Sequence, residues 1–378
     1  MNGKPYVLLM TQLSTADPID CYLLSTRHIH FEEIETGEKM KGYVYVKDLK
    51  GHRGSYQDLF SKIFGFKKLS GALFSSGFRD HLSAPRAIFA TIGINNSDQL
   101  LMILLRAVIG RSSCAIWLGE PFEEQERGSC IRRRDLWMLR ILRRLNRVRL
   151  FSIYPFRTED RRRRVVDDWI ADPQLWDMTD LSTNLDSLKS SIPKEIRSDF
   201  SGKPVIAFLG RGSTAKNYPC FVDFAIAERN QIAAISVGPI DPECKQDAEK
   251  LSKVGGFIID RFVDDAELLS IYSIADYVWC AYSELYDRPS GIYGRGIALG
   301  ALPVVRAGSY LDEFSSEFGF DVERVSLENI CASGNTDVDF RSVIHSDDRR
   351  KNTLDHLREL RFDAIRKISR ALGCEPLH

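Results

Sequence analysis

Between Lys203 and Ser309 the chain repeats one pattern, an apolar run of four to six residues followed by a helical stretch. The runs are Val205–Leu209, Ile232–Val237, Gly256–Ile259, Tyr277–Ala281 and Leu302–Val305. Short runs separated by helical segments suit strands buried on both faces, with the helices as crossovers of a parallel sheet. Ligands of such sheets bind beyond the carboxyl ends of the strands, where helix N-termini present unpaired N–H groups. The first half alternates in the same way through Tyr6–Met10, Gly42–Val46, Ala87–Ile92, Cys114–Leu118 and Arg149–Ile153. A helix capped by Asn96 or Ser97 is predicted to run to about Ile109, with Leu100, Leu101, Leu104, Leu105 and Val108 as its apolar side.

The expected fold class is therefore α/β, with two Rossmann-like doubly wound domains. The first covers residues 1–198 and the second 199–346, with a linker placed over 171–202, where Asp, Ser, Asn and Pro concentrate. Residues 347–378 close the chain as an amphipathic helix carrying Leu354, Leu357, Leu360, Ile365, Ile368 and Leu372, with Gly373 at its C-cap.

Lys and Arg number 52, as do Asp and Glu, so no global field draws the chain to nucleic acid. Eight scattered cysteines without a C-x-x-C pair suit reduced thiols in the cytoplasm. No apolar run is long enough to span a bilayer, and Tyr6–Met10 is too short for a signal peptide. Charge is uneven locally. Residues 132–164 hold Arg132, Arg133, Arg134, Arg140, Arg143, Arg144, Arg147, Arg149 and Arg161–Arg164, interleaved with Leu136, Trp137, Leu139, Ile141, Leu142 and Leu145. Such a helix can lie in an anionic membrane interface. It can equally pack its apolar stripe on the core and leave a basic face in water.

Two loops at strand exits hold most of the candidate chemistry. Gly210-Arg211-Gly212 leads to Lys216-Asn217, where a fork-shaped and a point-charge cation can close on two phosphates beside a helix start. It is not a Walker A loop. The second, Pro289-Ser290-Gly291-Ile292-Tyr293-Gly294-Arg295-Gly296, brings small residues to a helix start, where a ligand phosphate can approach backbone. Gly294 and Gly296 inside that helix imply close packing on a strand or a ligand. No G-x-G-x-x-G follows either leading strand, which disfavours a dinucleotide-dependent oxidoreductase or epimerase. His28 and His30 lack further ligands for a metal, and Asp337-Val338-Asp339 reads as surface loop.

The segment from Pro204 to Pro303 resembles the donor-binding domain of GT-B glycosyltransferases, in particular the large retaining group (family 4-like). The resemblance rests on Gly210, Arg211 and Lys216, on Val237-Gly238, on Phe262-Val263-Asp264-Asp265-Ala266-Glu267-Leu268, and on Ser290-Gly291 with the closing Gly300-Ala301-Leu302-Pro303. It implies two domains facing a cleft, with a nucleoside-diphosphate sugar, UDP or GDP type, as donor and a glycan or lipid-linked acceptor. It further implies that Arg211 and Lys216 stabilise the diphosphate leaving group, with Gly210, Gly212, Asn217 and Gly238 around them. Ser290, Gly291 and Ile292 would meet the phosphates, and Phe262, Val263 and Glu267 the nucleobase, with no metal or other cofactor. The two glutamates the family often carries fall at Arg288 and Gly296 here, so Arg288 would add charge near the phosphates, and Glu284 or Asp287 would hold the ribose. For an inverting reaction a base is needed on the acceptor side, and Glu120, at the exit of Cys114–Leu118 with Glu123 and Glu124 behind it, is the candidate. A non-catalytic sugar- or nucleotide-binding relative is the alternative.

Overall fold

Two parallel six-stranded sheets carry the chain in a computed structural model that describes residues 41–49, 53–74, 77–93, 97–118, 133–155, 161–177, 191–194, 196, 200, 202–328, 330 and 347–377. Tyr6–Met10, His28, His30, Glu120, Glu123, Glu124, Asp337 and Asp339 lie outside the described residues.

The N-terminal lobe comprises β1 (Tyr43–Val46), α1 (Arg53–Phe64), β2 (Lys67–Ser70), α2 (Phe78–Ser83), β3 (Arg86–Ile92), α3 (Ser97–Val108), β4 (Ser112–Trp117), α4 (Arg133–Leu142), β5 (Val148–Ser152), β6 (Asp168–Trp169) and α5 (Pro173–Trp176). Its sheet runs β2-β1-β3-β4-β5-β6, every pair parallel. The C-terminal lobe comprises β7 (Val205–Leu209), α6 (Tyr218–Ala227), β8 (Ala233–Val237), α7 (Lys245–Lys253), β9 (Phe257–Ile259), α8 (Asp265–Tyr272), β10 (Tyr277–Cys280), α9 (Gly291–Leu299), β11 (Leu302–Arg306), α10 (Tyr310–Phe318) and β12 (Glu323–Val325). Its order is β12-β11-β10-β7-β8-β9, again parallel. α11 (Asp347–Leu372) follows. The architecture is thus α/β with two Rossmann-like sheets. All five expected C-terminal runs are strands, and β12 adds a sixth at the edge, too short and polar to stand out in sequence.

One apolar cluster covers the facing sides of both sheets, joining Val44, Phe60 and Ile116 through Leu175 and Trp176 to Tyr293, Val305 and Phe314. Two further clusters cover the outer faces. α11 buries Leu357, Ala364, Ile368 and Leu372 along one face. Its His356 ring lies 6.1 Å from Phe320 of the C-terminal lobe, while Lys367 donates to the Trp169 carbonyl at 2.8 Å on the other. Beyond it, Arg86 donates to the Gly373 carbonyl at 2.9 Å and the Leu377 N–H to that of Ile63 at 2.6 Å.

α3 turns a different side inward from the one predicted. Gln99, Leu100, Met102, Ile103 and Arg106 are buried, whereas Val108 is 65% exposed. Its sequence is apolar nearly all round, so periodicity does not select a face. Arg106 is drawn in because its guanidinium donates to the carbonyls of His81 and Ser112 and to Ser113 Oγ. No helix among the described residues is long and apolar enough to cross a membrane.

Candidate ligand site at the topological switch point

In the C-terminal sheet β7 and β10 are neighbours, yet the chain leaves β7 toward β8 and β10 toward β11. The carboxyl ends of two such strands mark the crevice where open α/β sheets place their ligands. The loops that follow them are 210–217, singled out in the sequence, and 281–290, whose last two residues open the second sequence motif, Pro289–Gly296.

The first is fixed by backbone. Gly210 has φ of 89° and donates to the Val237 carbonyl at 2.8 Å; Gly212 donates to that of Pro239 at 3.0 Å. Gly238, at φ 131°, is pressed so closely on this turn that a Cβ would lie 2.1 Å from the Gly210 carbonyl oxygen. Asn217 takes φ of 57°, a region Asn tolerates, and its amide reaches the Ala281 carbonyl at 3.3 Å. Ser283 Oγ donates to the Ala215 carbonyl at 2.8 Å. The two crevice walls are therefore bound to each other.

Lys216 is held half-buried inside this frame. Its Nζ lies 2.9 Å from the point where a Cβ on Gly210 would sit, and 5.8 Å from the centre of the Tyr282 ring. Among the described residues no carboxylate comes within 4.0 Å of it. Burial lowers its pKa to about 8, with Cys280 pulling the other way and Arg288 adding to the fall. Arg211 differs: it is exposed and donates to Asp241 Oδ1 at 2.8 Å.

Across the crevice, α9 begins without a side-chain cap, because Ser290 Oγ is paired with the Tyr282 hydroxyl at 2.9 Å. Its first N–H groups and its dipole are thus presented at the crevice. Gly291 abuts Gln174 of the other lobe, where a Cβ would fall 1.8 Å from Oε1, and Gly294 abuts the backbone of Gln174 and Leu175. Gly296 meets Val278 of β10, so of the two close packings expected for it, on a strand or on a ligand, the fold shows the strand. The carbonyl of Ile292 accepts from the Tyr272 hydroxyl at 3.4 Å. Arg288 stacks 3.8 Å over Tyr286, and Asp287 is engaged by Arg306 at 3.2 Å and by the Tyr310 N–H at 2.8 Å. Glu284 is exposed and has a partner of its own.

The β9–α8 loop forms a third side. Phe262 is 80% exposed, and Val263 is partly buried on the core. Glu267 closes a capping box with Asp264, accepting from its N–H at 3.2 Å, and binds Arg261 by two contacts at 2.7 and 2.9 Å. The Arg261 guanidinium holds the Glu267 carboxyl below its usual range. Glu267 therefore shapes the loop that carries Phe262.

Sequence reasoning missed α5, which lies inside the stretch read as linker. Asp172 caps it, accepting from the Gln174 N–H at 2.9 Å and from the Tyr56 hydroxyl at 2.5 Å. Asp177, just past its end, pairs with Arg295 of α9 at 3.2 Å, and burial raises its pKa to about 6 against the pull of that arginine. The signal was present: Asp172-Pro173 is an N-cap followed by proline at the first helical position.

No family model matches the chain, and no curated protein matches it. Solved structures do. The C-terminal domain of a group 1 glycosyl transferase from Francisella tularensis is 18% identical, over 56% of this chain and 94% of that one, with a TM-score of 0.31. Sucrose-phosphate synthase from Thermosynechococcus elongatus is 14% identical over 75% and 71%, with a TM-score of 0.45. A structure assigned as a UDP-N-acetylglucosamine 2-epimerase from Listeria monocytogenes is 10% identical over 85% and 91%, with a TM-score of 0.47. Likeness at this level adds nothing to the architecture that the two strand orders do not already state.

Proposed function

We propose that the chain is a glycosyltransferase, of hexosyl groups, moving sugar from a nucleoside-diphosphate donor of UDP or GDP type to a glycan or lipid-linked acceptor. The observation that carries this reading is Lys216, an ammonium without a carboxylate partner among the described residues, in a switch-point crevice that it shares with the uncapped start of α9. A diphosphate supplies the charge both features want. Lys216 and the α9 N–H groups then take up the negative charge that develops as the sugar leaves. Arg211 joins by turning from Asp241, Phe262 lies against the nucleobase, and the reaction proceeds without a metal. The test is calorimetric titration with UDP, GDP, ADP and dTDP and their sugar conjugates on wild type and Lys216→Met. Clear binding of one nucleotide that the variant loses supports the reading, and no binding by any of them overturns it.

One observation favours a second reading, sugar or nucleotide binding without turnover. Where related enzymes often carry two carboxylates, Arg288 is stacked on Tyr286 and Gly296 on Val278. Release of free nucleotide from a bound donor, assayed with and without a metal chelator, separates the two readings and tests metal independence together.

We infer further that the enzyme works at the cytoplasmic face of an anionic membrane. Leu139 and Leu142 of α4 are buried, while Trp137 is 61% exposed with Arg134, Arg140 and Arg144 outward around it. Arg140 and Arg144 have no carboxylate within 4.0 Å among the described residues. An exposed indole ringed by arginines suits the headgroup level of an anionic leaflet.

A further inference from the structure

The start of α9 is met by one polar side chain from the opposite lobe. Gln174 is 3% exposed, and its backbone is pinned by the Asp172 cap. Its Oε1 occupies the place a side chain on Gly291 would need, so the amide is aimed at the uncapped first turn of α9. Neither amide atom has a hydrogen-bond partner among the described residues. An amide with its donor and acceptor both open beside a helix start can take hydrogen bonds from a ligand.

We propose that Gln174 reads the transferred sugar. This rests on the donor reading above and adds a residue from the opposite lobe to it. The diphosphate is charged and is met on the C-terminal side by Lys216 and the α9 N–H groups. The nucleobase side is the loop of Phe262. The sugar beyond the second phosphate then faces the remaining wall of the α9 start, which is Gln174. A neutral carboxamide offers both a donor and an acceptor, the pair that a sugar hydroxyl requires, and no charge with which to hold a phosphate. Gly291 is glycine because this amide occupies the space beside it. Gln174 is thus a positioning and specificity residue, set by the N-terminal lobe, for a group bound mainly by the other.

The experiment compares each nucleotide with its own sugar conjugate by calorimetry: UDP with UDP-glucose, GDP with GDP-mannose, ADP with ADP-glucose and dTDP with dTDP-glucose. Wild type, Gln174→Met and Gln174→Ala are titrated side by side. Met keeps the volume and loses the hydrogen bonds, and Ala guards against a misfit of Met. For the pair that wild type binds, the expected result is nucleotide affinity within about twofold of wild type and sugar-conjugate affinity about tenfold lower. Equal loss for both ligands, or no loss for either, overturns the proposal and leaves Gln174 a lobe-packing residue. Failure of wild type to bind any of the eight ligands overturns it together with the donor reading, so the two failures are told apart by the wild-type titration.

Discussion

Arg211 donates to Asp241 Oδ1 over 2.8 Å, so the arginine of the first loop is tethered to the turn after β8. An exposed pair of this kind is worth about 0.2–1 kcal/mol, small enough for a diphosphate to displace. Asp241→Asn is therefore expected to raise nucleoside-diphosphate affinity by up to about fivefold, the whole of that pair energy. An unchanged dissociation constant would mean that Arg211 never reaches the ligand.

Lys216 sets the pH dependence. Its ordinary value is 10.5 and burial brings it to about 8, so the free crevice loses its cation as pH rises through about 8. Nucleotide affinity should be highest below that point and fall above it, by at most about tenfold per pH unit for one proton. For folding the sign is reversed: the native state sheds this proton before the unfolded chain does, so stability gains from Lys216 between about 8 and 10.5. Isothermal titrations from about pH 6.5 to about pH 9.5, on either side of the Lys216 titration, check the binding arm. A flat profile counts against Lys216 as the phosphate ligand.

Phe262 stands 80% exposed beside a loop otherwise locked by its capping box and Arg261. Phe262→Ala should leave the melting temperature unchanged and weaken nucleotide binding by about 1–3 kcal/mol, the usual worth of a base stacked on an aromatic ring. Loss of thermal stability without loss of affinity would make the ring a packing element instead.

Gly238→Ala and Gly294→Ala test the two closest backbone approaches. A Cβ would meet the Gly210 carbonyl oxygen at 2.1 Å in the first and the Gln174 carbonyl oxygen at 2.6 Å in the second. Neither neighbour is the free end of a flexible side chain, and Gly238 also holds φ of 131°. Each is expected to destabilise by about 1–3 kcal/mol, Gly238→Ala by more, in urea unfolding followed by circular dichroism. Gly294→Ala at wild-type stability would mean that the lobes part freely along α9.

Trp137 provides its own reporter, since Trp117, Trp176 and Trp279 are buried and Trp169 is half-buried. Vesicles rich in phosphatidylglycerol should shift its emission to the blue, and neutral vesicles should not. Arg140→Glu with Arg144→Glu should abolish the shift, since juxtamembrane cations are worth about 1 kcal/mol each. Binding that tracks heparin as well as the vesicles would turn the face into a general polyanion surface.

The sequence alone determined the local pieces. Runs such as Val205–Leu209 and Tyr277–Cys280 are apolar throughout because both faces of their sheet are covered, and that is legible without coordinates. The helix starts near Lys216-Asn217 and at Gly291 and the end at Gly373 were legible for the same local reason. What only tertiary structure decided is who meets whom. The inward face of α3 depends on Arg106 finding carbonyls in another segment, and Arg211 is paired because the β8 turn brings Asp241 beside it. Gly291 looked from sequence like room for a ligand, and the fold fills that side with Gln174, a residue 117 positions earlier by numbering. Periodicity reports which side of an element is apolar, but the partners of a polar side chain are chosen by strand order, and strand order is a long-range property of the whole sheet.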